Sequence, residues 1–212
     1  MNASGRGFSA LFIPIGTVRA EDFARTQRQV PRESNSTGVK RMLPGIRVLD
    51  LKRNVDERGS FTEIMREDWT EFLGSERPVQ ANWSVSYPGM IRAWHRHARG
   101  QFDIFVVLRG ALKICAYNDL GEPGNGELDE FVASGDRLQA VMIRGHYWHG
   151  TKCVSPRASE TAYFVTRLYD AKSPDEARRP WDDPTIVPVS INGNARDPRA
   201  GKAWDWNAVP HK

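Results

Sequence analysis

The stretch Gly89-Met90-Ile91-Arg92-Ala93-Trp94-His95-Arg96-His97, continued by Phe102-Asp103-Ile104-Phe105-Val106-Val107-Leu108-Arg109-Gly110, decides the fold. Residues two apart on a strand point to the same face. A strand through 90–94 therefore leads into His95 and His97 on one side. In the next run Asp103, Phe105 and Val107 share a face. Leu108-Arg109-Gly110-Ala111 reads as a tight turn, because glycine accepts a backbone that other residues avoid. A second apolar run starts at once with Ala111.

The same pattern extends both ways. Strand-like runs recur at 46–51, 61–64, 79–85, 102–108, 111–117, 128–133, 138–143, 148–154 and 161–168. Turn residues separate them: Tyr87-Pro88-Gly89, 121–126 and Ser134-Gly135-Asp136. Asp68 is placed to cap a short helix ending near Phe72. Many short strands with few helical segments predict an all-β sandwich or barrel with short peripheral helices. Three regions are expected: an N-terminal extension over 1–40, a barrel domain over 41–190, and a tail over 191–212 that packs on the barrel. The extension holds a polar stretch, 33–38, that reads as linker, and Asn35-Ser36-Thr37 matches a glycosylation sequon by chance. After Tyr169 the chain is rich in Pro, Trp and Asp with little periodicity.

Composition narrows the functions. In 212 residues, 40% are hydrophobic and 26% charged, as in ordinary globular proteins. Thirty basic against 26 acidic residues leave a net charge of +4, spread along the chain. No block of basic residues interleaved with aromatics marks a nucleic-acid binder. The small positive balance suits an anionic small molecule. No apolar run approaches the roughly 18 residues of a membrane helix, and the apolar stretch 8–15 is short and broken by Pro14. The expectation is a cytoplasmic protein with no membrane partner. Cys115 and Cys153 lie inside apolar runs and read as buried thiols.

Four of the five histidines fall in two pairs, His95 with His97 and His146 with His149. The order Gly89, His95, His97, Asp103, Gly110, then His149 resembles the two histidine motifs of the cupin superfamily. That resemblance implies a double-stranded β-helix, or jelly-roll barrel. It also offers His95, His97, Asp103 and His149 as ligands of a divalent metal such as Zn, Fe, Ni or Mn. The pattern departs from the motif, whose carboxylate is usually Glu and nearer the second histidine. The bland alternative is a set of histidines hydrogen-bonded inside a polar barrel mouth.

A second resemblance spans residues 56–184. Asp56-Glu57-Arg58-Gly59-Ser60-Phe61-Thr62-Glu63, Gln80-Ala81-Asn82-Trp83-Ser84, Arg92-Ala93-Trp94-His95, Gln101, Arg109-Gly110, His149-Gly150, Tyr163 to Tyr169 and Trp181-Asp182-Asp183 follow in order. In this the chain resembles the dTDP-4-dehydrorhamnose 3,5-epimerase family. The resemblance implies a cofactor-free isomerase of a nucleotide-linked 4-keto-6-deoxy sugar, in dTDP-rhamnose and polysaccharide biosynthesis, working as a homodimer. It makes His95 the base, Tyr163 the acid on the opposite face, and Asp197 the carboxylate that supports His95. Arg58 and Arg92 would bind phosphate or sugar. Phe61, Glu63, Gln80, Asn82, Gln101, His149 and Tyr169 would complete the substrate site.

Two departures bear on chemistry. Where the family has a Lys thought to steady the enolate, this chain has Asp103; where it has Arg-Gly-x-His-aromatic-Gln, this chain has Ala93 and His97. A negative charge beside a developing enolate is unfavourable. Either a divalent metal replaces the Lys, as in a metal-dependent cupin isomerase or oxygenase, or a metal-free enzyme acts on a different sugar, at one carbon, with His97 supplying the positive charge. A third alternative is a non-catalytic cupin that binds a sugar nucleotide.

Overall fold

The computed structural model describes residues 43–121 and 123–208. The expected N-terminal extension, 1–40, lies outside the described residues. Thirteen strands and one short helix form in this order: β1 (Arg47–Asp50), β2 (Asn54–Asp56), β3 (Gly59–Phe61), α1 (Thr70–Leu73), β4 (Gln80–Ser86), β5 (Ile91–Arg96), β6 (Phe102–Arg109), β7 (Ala111–Tyr117), β8 (Glu127–Ser134), β9 (Gln139–Arg144), β10 (Trp148–Cys153), β11 (Ser159–Val165), β12 (Ala177–Arg178) and β13 (Ser190–Ile191).

Two sheets build the jelly roll. One has the order β1-β9-β6-β11-β4 and the other β12-β5-β10-β7-β8-β13; β2 and β3 form a separate hairpin. The ladders are antiparallel except that of β13 with β8. The turn at Gly110 joins β6 to β7 and so crosses from one sheet to the other. Its φ is +69°, and a Cβ there would stand 2.7 Å from Ser155 Oγ and 2.9 Å from Ser159 Cα. Only glycine fits that corner.

Strand alternation divides the core into layers. Phe105, Val107, Val141 and Ile143 of the first sheet meet Leu112, Ile114, Ala116, Ala133 and Cys153 of the second between the sheets. The intervening residues of the first sheet, Ile104, Val106, Ala140, Met142 and Phe164, face outward under Leu49, Leu51, Phe72 and Leu73. On the outer face of the second sheet Trp94, Cys115, Tyr117, Leu128 and Trp148 are covered by Ile186, Ile191, Trp204 and Trp206. Strands buried on both faces read as nearly unbroken apolar runs, as 102–108 and 111–117 do. Both cysteines are buried and unpaired with each other.

Several expectations change. The run at 61–64 is not a strand; instead Gly59–Phe61 pairs with Asn54–Asp56. Asp68 does not cap the helix by its side chain: its carboxylate takes Arg66, and its backbone oxygen accepts the Thr70 amide. An arginine two residues away offers charge-assisted bonds stronger than a backbone amide does. The strand expected over 161–168 runs from Ser159 to Val165, and the aperiodic tail contributes β12 and β13.

Candidate active site

The inner face of β5 carries Arg92 and His95 toward the space between the sheets. β10 lies beside β5 with His149 directly opposite His95. From the other sheet β6 brings Asp103 and Phe105, and β11 brings Thr161 and Tyr163, with Tyr163 opposite Phe105. The Phe105 and Tyr163 rings stack at 5.3 Å. A cavity of about 420 Å³ opens between these strands, walled by Ser84, Ser86, Arg92, His95, Phe105, Thr151, Thr161, Tyr163, Glu176, Arg178 and Arg179 among others. Its polar wall and this size suit a small organic ligand.

Beneath His95 lies a buried polar cluster. His149 Nε2 is 2.6 Å from Asp103 Oδ2, and His97 Nε2 is 3.5 Å from the same oxygen. The other carboxylate oxygen, Oδ1, accepts Gln101 Nε2 at 2.7 Å and the Tyr163 hydroxyl at 3.4 Å. His149 Nδ1 lies 2.8 Å from the Tyr147 carbonyl, and His97 Nδ1 contacts the Asp175 carbonyl. The Asp175 carboxylate accepts the Ala98 and Arg99 amides, which ties the segment before β12 to the end of β5.

These contacts set the charges. Burial pushes the Asp103 carboxyl up, but hydrogen bonds from His149 and His97 outweigh it and hold the group below the usual carboxylate range. Burial lowers His97 as well, and there the Asp103 hydrogen bond and charge prevail, so its net shift is upward. His95 is held well below its ordinary value, first by burial and then by the neighbouring His149. Burial, then the Asp103 charge, raises the Tyr163 phenol.

The structure brings together His95, His97, Asp103, His149, Gln101, Tyr163 and Arg92. Gln80 and Asn82 lie on β4, bonded to each other at 2.9 Å, and Gln80 Oε1 accepts the Tyr169 amide. Arg92 lines the cavity and donates to the Val85 carbonyl at 2.9 Å.

Others stand apart. Arg58 pairs with Asp56 on the exposed β2–β3 hairpin, its side chain 82% exposed, and Phe61 beside it is 68% exposed. Glu63 is bound to Arg66, and Tyr169 is 64% exposed. Within one chain none of the four lines the cavity.

Asp197 is a correction. Arg199 holds it at 2.9 Å and also holds Glu130 at 2.9 Å. Glu130 is opposite Cys115 in the β7–β8 ladder, and Cys115 belongs to the outer layer. Asp197 therefore sits on the outer face of the sheet whose inner face carries His95. The carboxylate nearest the histidines is Asp103.

Glu176, Arg178 and Arg179 were not singled out in the sequence, although they wall the cavity. They fall in an aperiodic stretch. The adjacent pair Arg178-Arg179 before Pro180 was the available signal, and β12, which sets Arg178 opposite His95, is two residues long.

Comparison with known proteins agrees with this geometry. Residues 40–200 match the model of a family described as dTDP-4-dehydrorhamnose 3,5-epimerase. A probable low-salt glycan biosynthesis epimerase, Agl13 of Haloferax volcanii, is 41% identical over 138 residues, which are 65% of this chain and 87% of that protein. The spore coat polysaccharide biosynthesis protein SpsL of Bacillus subtilis is 36% identical, over 68% of this chain and 94% of its own. Among solved structures, dTDP-6-deoxy-D-glucose-3,5-epimerase RmlC from Legionella pneumophila, in complex with dTDP-4-keto-L-rhamnose, superposes with a TM-score of 0.62 at 26% identity. That match covers 73% of this chain and 87% of that one.

Proposed function

Because the chain belongs to the dTDP-4-dehydrorhamnose 3,5-epimerase family, we propose that its cavity binds a dTDP-linked 4-keto-6-deoxy sugar and exchanges a proton at a carbon beside the keto group. The observation that carries the reading is that His95 and Tyr163 wall one cavity together with Arg92, Arg178 and Arg179. A keto group acidifies its neighbouring carbon. Inversion there needs a base on one face and a proton donor on the other. His95 is the base and Tyr163 the donor. The arginines hold the diphosphate, which guanidinium groups grip through paired hydrogen bonds. The reading places the enzyme in the cytoplasm, where nucleotide sugars are made.

The same proposal makes the working form a homodimer. Val55 and Phe61 lie exposed on the hairpin, and Arg58 with them, at positions that match the family's substrate motif. A second copy that covers this hairpin would bury the apolar pair and bring Arg58 and Phe61 to a site. Sedimentation at micromolar concentration should give twice the chain mass; a single-chain mass would refute the dimer.

The test of the activity is solvent exchange. With dTDP-4-keto-6-deoxyglucose in deuterium oxide, mass spectrometry should find one or two deuterons in the recovered sugar. His95→Ala should abolish the uptake. Tight binding of the sugar nucleotide without any exchange would replace the epimerase by a non-catalytic binder.

A further inference from the structure

We infer that His97, Asp103 and His149 form a binding site for one divalent transition-metal ion, with His95 left free beside it on the cavity wall. The ligand atoms of the four residues lie within 4.8 Å of one another, on strands β5, β6 and β10 and the loop after β5. Zinc bonds of about 2.0–2.2 Å place the ligands of a tetrahedral site about 3.4 Å apart. His97 to Asp103, at 3.5 Å, already has that spacing. His149 to Asp103, at 2.6 Å, needs to open by about 0.8 Å to admit the ion.

The surroundings separate three ligands from one neighbour. Imidazole ligands to metals carry a partner on their second nitrogen that fixes ring and tautomer. His97 has the Asp175 carbonyl at Nδ1 and His149 has the Tyr147 carbonyl, so both turn Nε2 to Asp103. Gln101 and Tyr163 occupy Asp103 Oδ1 and leave Oδ2 to the histidines. No hydrogen bond reaches the His95 ring among the described residues. His97 Nε2 is buried and has no hydrogen-bond partner. A buried ring nitrogen aimed at a carboxylate and not bonded to it is an unmet demand that a metal ion satisfies.

Asp103 stands where the family pattern carries a cationic Lys. A divalent ion bound there would return positive charge to the cavity's inner end and stabilise negative charge on a carbonyl oxygen. This consequence rests on the epimerase reading; the site itself does not.

The experiment uses the full, untagged chain, stripped with chelator and then titrated with Co(II), whose visible absorption reports four- or five-coordinate binding. Saturation at about one ion per chain is expected. His97→Gln and His149→Gln, which keep side-chain bulk, should each weaken binding at least tenfold, with circular dichroism confirming the fold. His95→Ala should retain the ion. A wild-type chain that takes up neither Co(II) nor Zn, Ni, Mn or Fe(II) overturns the site. So does binding unchanged in both glutamine variants, which would place the ion elsewhere. Equal loss in His95→Ala overturns the three-ligand assignment. Deuterium exchange on the same samples keeps the two proposals apart: metal without exchange defeats the epimerase reading, and exchange by a chain that takes up no metal defeats the metal site.

Discussion

His95 and His149 are opposite each other across the β5–β10 ladder, and their rings stand 4.2 Å apart, centroid to centroid. Only His149 is anchored at both nitrogens, by the Tyr147 carbonyl and Asp103. One ladder thus brings a fixed imidazole and an unfixed one to the same point. The fixed ring belongs to the buried cluster, and the unfixed one borders the cavity.

That difference separates the effects of mutation. His95→Ala should lower kcat by about 10²–10⁴-fold, the usual contribution of a general base, and leave the thermal midpoint nearly unchanged. His149→Ala should lower stability as well, because it leaves the Asp103 carboxylate buried with a lost partner. Steady-state kinetics beside thermal melts of both variants checks this.

Arg178 lies on the two-residue strand opposite His95 and walls the cavity. Arg178→Ala should raise KM about tenfold with kcat within about twofold, as expected when an interaction serves ground and transition state alike. A fall in kcat with unchanged KM would show that Arg178 acts in the chemical step.

Gly145 closes over His97. A Cβ there would stand 2.6 Å from the Gln101 carbonyl and 3.0 Å from His97 Cβ. Gly145→Ala should cost about 1–3 kcal/mol, as overpacking does, and should shift the His97 ring resonances in an NMR spectrum. Unchanged stability with unchanged resonances would mean that the loop gives way freely.

Trp206 is buried against Trp94, with ring centroids 4.8 Å apart. Trp206→Ala should destabilise the fold by about 3–5 kcal/mol, read as a lower urea midpoint at constant slope. A loss under about 1 kcal/mol would show that the outer layer is not part of the cooperative unit.

Burial pushes the Cys115 thiol up, and its side chain is inaccessible. A thiolate-directed reagent at pH 8 should leave Cys115 unmodified in the native protein and label it after denaturation. Native labelling found at Cys115 by peptide mass spectrometry would contradict the packing under Trp204 and Trp206.

Much of the barrel was legible because strands with a period of two repeat through 79–168. The pairing of Asp103 with Phe105 and Val107 on one face, and of His95 with His97, followed from spacing alone. The β2–β3 hairpin was not legible: its strands are three residues each, too short to show a period. Asp197 was misplaced because spacing along an aperiodic tail carries no information about which face of a sheet the tail crosses. Arg178 was missed for the same reason, since its position comes from a long-range ladder and not from local pattern. The fixing of the two histidine tautomers was also hidden, as it depends on backbone carbonyls that every residue possesses.

The ladder between β5 and β12 has a consequence for the order of assembly. One wall of the cavity needs residue 95 and residue 178 side by side, and the layer over the outer face waits for Trp204 and Trp206. Domains form as units during synthesis only once their distant partners have left the ribosome. The histidine strand is therefore among the first made and among the last completed. Release of the finished polypeptide is what turns an open sheet edge into a binding cavity.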